Sequence, residues 1–232
     1  MDRTLEPLNL SIVIAAHNHN PTILNPDFLY RNKIVPDGWK LAQGPICTPP
    51  MARVSFENGT VIEAQFDKLI FTDGNPQNIP EASSLGQVAL KYVETLPHVS
   101  YAAVGVNPHG YVSCDSDESV RLFMMEKLIS SGPWREAGDK PVHASVSLIY
   151  AFGDCRCTLS IDEWRFRPGE LANETPVISF RANFHRDLAG QSHDEKLDYL
   201  RKTICNWRQD YDAFCGIIRD NFLKEADPCI QQ

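Results

Sequence analysis

His17 and His19, in the stretch AAHNHNP, stand two positions apart, and on an extended chain such residues share one face. His109 sits in a similar polar segment, VNPHG. Neutral imidazoles bind zinc and other transition metals, and they exchange protons near neutral pH. If the three histidines converge, with Asp115 or Asp117 adding a carboxylate, they form a metal site, and a metal-dependent hydrolase is the enzyme it implies. The plainer use of the same residues is structural. His and Asn satisfy loose backbone groups where strands end, and Pro21 and Pro108 then stop the strand. The sequence holds no Asp or Cys at a fixed spacing that would complete a ligand set, so no tightly held metal or other cofactor is expected.

Other candidates weigh less. Cys155 and Cys157, in CRC, point to one face of a strand with Cα atoms about 7 Å apart, at the upper limit for a disulfide. They read as small buried hydrophobes. HRDL at 185–188 matches the opening of a kinase catalytic loop. That loop needs an Asn where Ser192 stands, and neither a glycine-rich loop nor DFG occurs, so the match is chance. Arg186 and Asp187 are expected in a polar loop. The sequence also lacks GxxxxGK[ST], GxGxxG, GxSxG, HExxH and paired CxxC motifs, which argues against P-loop, Rossmann, α/β-hydrolase and common zinc chemistry. No catalytic residue is assigned.

Those residues must be positioned by a chain of 232 residues, 43% hydrophobic, which suffices for a substantial core. The net charge of −8 argues against a protein that coats nucleic acid or an anionic membrane. No apolar run approaches the roughly 20 residues of a membrane span. The opening MDRTLEPLNL has no apolar leader, and the seven cysteines are scattered, as suits reduced thiols. A soluble cytoplasmic protein is expected.

LNLSIVIAA reads as a strand, as do SYAAVGVN and PVISFRANFH. Asn58-Gly59 and Gly153-Asp154 mark the turns of two hairpins. Apolar residues at Leu85, Val88, Ala89, Tyr92, Val93 and Leu96 have helical spacing, and Asp115 to Ile129 reads as a second helix. Ser192 with Glu195 forms a capping box. It opens one long helix, 194–224, whose apolar stripe includes Leu200, Trp207, Tyr211 and Phe214.

The hairpins align at a constant offset of 95, with VIEAQFDKLIF over RCTLSIDEWRF and Asp67 over Asp162. The expected fold is therefore α+β. Two pseudo-repeated antiparallel sheet units, each strand, helix, hairpin, helix, occupy 1–97 and 98–232, joined as one compact unit with the long C-terminal helix.

VIEAQFDKLIF, the helix leading into HVSYAAVGVN, and LSIDEWRF followed by a helix ending YDAFCGIIRDNF together resemble a sporadically distributed bacterial family without an assigned activity. The resemblance implies a duplicated α+β fold and a bacterial origin, and it supplies no catalytic residues. The expected function is a non-enzymatic interaction protein or complex subunit. Its partner is another protein or a second copy in a homodimer, and Trp207, Tyr211 and Phe214 offer a helical docking stripe. The alternatives are the metal-dependent hydrolase and nucleic-acid recognition by a duplicated sheet, the latter opposed by the net charge.

Overall fold

The computed structural model describes residues 4–139, 143–167, 169, 173–190 and 192–224. In chain order the main elements are β1 (Glu6–His17), α1 (Pro26–Arg31), β2 (Ile46–Cys47), β3 (Met51–Ser55), β4 (Thr60–Gln65) and β5 (Lys68–Asp73). There follow α2 (Leu85–Thr95), β6 (Ser100–Ser113), α3 (Asp117–Leu122), β7 (Ser145–Phe152), β8 (Cys155–Phe166), β9 (Thr175–Asp187), α4 (His193–Cys205) and α5 (Trp207–Ile218).

The strands form one nine-stranded sheet in the order β2-β3-β4-β5-β1-β6-β9-β8-β7, antiparallel throughout. This corrects the expectation of two sheet units. The first strand of each half, β1 and β6, pairs with the other from Glu6↔Tyr111 to His17↔Ser100, so no sheet boundary exists between the halves. Both strands are low in charge and apolar on the face that helices cover, as central strands must be.

The offset of 95 also fails beyond the turns. Asp67 lies in the turn between β4 and β5, where its carbonyl accepts from the Ala16 N–H at 2.8 Å. Asp162 lies in mid-strand, because β8 continues to Phe166 and keeps burying alternate residues Cys157, Leu159 and Ile161. Nor does β6 stop at Pro108. It runs on to Ser113 with Pro108 still paired to Leu10 of β1, while its ladder to β9 is interrupted between Val106↔Phe184 and His109↔Arg181. A proline there has no N–H to give.

The helices pack on one face. Tyr92 of α2 meets Phe71 edge-on at 5.5 Å, and Phe180 meets Phe123 and Phe222. Ser192 and Glu195 form the expected capping box. The single long helix is corrected to two: α4 ends at Cys205, Asn206 leaves helical geometry (φ −96, ψ 12), and α5 begins at Trp207. The apolar spacing carries across the bend, which is why periodicity alone missed it. At the bend Trp207 rests on Gly86 of α2, where a Cβ would stand 2.6 Å from the indole. Among the described residues no helix is long and apolar enough to cross a membrane.

Candidate functional site

The three histidines do not converge. β1 ends at the exposed His17, and Asn18 takes a left-handed conformation (φ 59) that breaks the period-two alternation. His17 and His19 therefore lack the expected common face. His19 is buried, with Nε2 3.2 Å from the Tyr92 hydroxyl. Burial lowers its pKa, outweighing the Gln65 backbone, which favours the charged form. His109 pairs with Asn9, whereas His17 pairs with Ser100, so about 27 Å of strand separates them. Asp117 pairs with Arg165 instead. Among the described residues no three His, Cys, Asp or Glu side chains gather to hold a metal ion.

Trp207, Tyr211 and Phe214 are all buried in the core, so the stripe is used within the chain. Cys155 and Cys157 also face the core, and burial pushes the Cys157 thiol up to about 12. Arg186 and Asp187 are in β9 rather than in a loop. Arg186 donates two hydrogen bonds to the buried Asp210, at 2.7 and 2.8 Å, and so ties the end of β9 to α5.

Among the described residues no helix covers the opposite face of the sheet, and the alternation of each strand dictates what this open face displays. β1 presents Ser11, Val13 and Ala15, while β6 presents Ala103, Gly105, Asn107 and His109. β5 contributes Lys68, Ile70 and Thr72 on one side, and β9 contributes Arg181, Asn183 and His185 on the other. Small side chains on the central pair and longer ones on the flanking strands leave a groove. It runs about 13 Å along β6, from Ala103 to Asn107, and spans about 14 Å between β5 and β9. Its deepest part is a cavity of about 260 Å³ lined by Asp67, Lys68, Asn107, Asn183 and His185 over a floor of Val13, Ala15, Ala103 and Gly105.

Gly105 has a local reason. A Cβ there would come within 3.2 Å of Asn183 Oδ1. The break in the β6–β9 ladder falls between the same asparagines. Asn107 Nδ2 donates to the Gly105 carbonyl at 3.4 Å, and His185 Nε2 lies 3.2 Å from Asp187.

Beyond Asn107 on the same face His109 Nε2 lies 2.9 Å from Ser179 Oγ, and its ring is 6.0 Å from Trp164. Burial, then the Arg181 charge, pushes the imidazole down to about 4, against the opposing pull of Asp162. Burial also acts to raise the Asp162 carboxyl, but hydrogen bonds from Ser145 and Arg181 and the nearby charges hold it below the usual carboxylate range.

A hydroxyl beside an imidazole invites comparison with nucleophilic catalysis. Here burial and the Arg181 charge weaken the imidazole as a base. Ser179 is also in mid-strand, paired with Tyr111 and Asp162. The arrangement can hold polar groups in place and bury an apolar one against Trp164. The groove was missed in the sequence because its marks are small residues in alternation, S-x-V-x-A and A-x-G-x-N, rather than chemically active ones.

No protein-family model matches the chain, and no curated protein matches it in sequence.

Proposed function

We propose that the protein is a non-catalytic interaction protein whose open-face groove receives an extended polypeptide segment of a partner. The observation that carries this reading is the floor of small residues, Val13, Ala15, Ala103 and Gly105, flanked by Asn107, Asn183, His185 and Lys68. Asparagine amides both donate and accept, as peptide groups do. The groove's length suits about four extended residues. Both signs of charge line it, Lys68 beside Asp67, so a polar chain is matched better than a polyanion. A cytoplasmic setting is supported by the scatter of the cysteines, which form no disulfide among the described residues.

Selection against a phage-displayed library of unstructured dodecapeptides tests this. The expected result is an enriched sequence that binds the wild-type chain and loses at least tenfold in affinity for Gly105→Val. Gly105 has an ordinary φ, so valine suits the strand and fills the groove. A Cβ there crowds Asn183 Oδ1 at 3.2 Å, so the amide must turn aside and a cost of about 1–3 kcal/mol is expected; affinities are therefore compared at a temperature where circular dichroism shows both chains folded. No enriched peptide, or peptides indifferent to Gly105→Val, would overturn the reading.

A further inference from the structure

The two edges of the sheet differ. β2 has two residues, Ile46–Cys47, and offers little backbone to pair with. β7 has eight, Ser145–Phe152, and pairs with β8 without a register break. The hairpin turns at Gly153-Asp154 with Gly153 at φ 61, which suits a two-residue type II′ turn. Phe152 and Cys155 then form the hydrogen-bonded pair that closes the turn. Bonds alternate from there, so the backbone groups of Ser145, Ser147, Ile149 and Ala151 point away from β8. Among the described residues no strand pairs with them.

Edge strands are ordinarily blunted by a charge, a proline or a bulge. SVSLIYAF has none of these, although 22% of the chain is charged. Ile149 is 70% exposed and Phe152 45%.

We propose that β7 pairs antiparallel with β7 of a second copy, about a twofold axis through Ile149, so that two sheets become one. The occupant follows from the strand's composition. A twofold sets the strand against its own reverse, and eight uncharged positions bring no like charges together. With Ile149 opposite its copy, outward-pointing backbone groups meet one another. Ser147 then faces Ala151, Leu148 faces Tyr150, and Val146 faces Phe152, which are aliphatic–aromatic cross-strand pairs of the favourable kind. A single-strand interface is small, so the dimer is expected in the micromolar range. The inference is independent of the groove.

Sedimentation velocity on the full chain, from low micromolar to submillimolar concentration, tests it. The expected result is a monomer–dimer equilibrium that Ile149→Lys shifts to monomer, with the melting temperature and circular dichroism unchanged. As a second variant, Ile149→Cys is made with the exposed Cys47 and Cys205 changed to serine. It should form a 149–149 disulfide under mild oxidation, because hydrogen-bonded pairs set Cα atoms about 5.5 Å apart, within disulfide range. A monomer at every concentration overturns the proposal. So does a dimer that survives Ile149→Lys and gives no such cross-link.

Discussion

On one face of the sheet β1 contributes Leu10, Ile12, Ile14 and Ala16, all fully buried, and on the other Ser11, Val13 and Ala15, each half-buried. The same alternation runs through β9, where the buried Phe180 is followed by the exposed Arg181. The covered face carries the packing of α2, α3, α4 and α5, and its side chains are constrained in size and shape by their neighbours. The open face has no such duty. Its residues are free to be small, and at Ser11, Ala15, Ala103 and Gly105 they are. The groove is therefore a place where stability asks little of the side chains, and binding is the use we propose for that freedom.

The comparison breaks if the faces respond alike to truncation. Phe180→Ala removes a fully buried ring that contacts Phe123 and Phe222, and should cost about 3–5 kcal/mol. Arg181→Ala, one residue along, loses a partly solvated ion pair with Asp162 and should cost at most about 1 kcal/mol. Urea denaturation of both variants reads the ratio directly, and equal losses would show that the open face also holds the fold together.

A smaller effect sharpens the covered side. Gly86 has no room for a side chain, because Trp207 stands 2.6 Å from where its Cβ would be. Gly86→Val should cost about 1–3 kcal/mol through overpacking and change the Trp207 fluorescence. A neutral result would mean that the bend at Asn206 yields easily and that α5 is not pinned there.

How much of this was legible follows the same division. The covered face writes itself into the sequence as periodicity. Val88, Tyr92 and Val93 announced α2, and the Gly153-Asp154 turn announced the β7–β8 hairpin. Long-range pairing left no local mark, so nothing in LNLSIVIAA says that its partner lies in SYAAVGVN about ninety residues away. Titratable residues drew attention to His17, His19 and His109, but which face a histidine occupies depends on where its strand stops. A left-handed Asn18 and a β6 that runs through Pro108 decided that. The groove was quietest of all, since alanine and glycine on a polar face look like nothing in particular until the flanking strands are known.

The smallest expected effect compares the faces through their histidines. His19 on the covered side and His109 on the open side are both lowered from the usual 6.5 by burial, and His109 is pushed to about 4. Folded, His109 therefore stays neutral as pH falls, whereas the unfolded chain takes up its proton through about 6.5. The unfolded state then binds more protons, so the contribution is fully present above about 6.5, declines as pH falls, and is lost below about 4. His109→Gln keeps a partner for Ser179 and should flatten this part of the stability profile between neutral pH and about 4. Because the Arg181 charge is the second cause of the shift, Arg181→Ala should move the His109 proton resonance, followed by NMR, to titrate at higher pH. A wild-type His109 that titrates near 6.5 would mean that water reaches the ring freely. The open face would then be an ordinary solvated surface at this end, and the contrast between the faces would lose its chemical edge here.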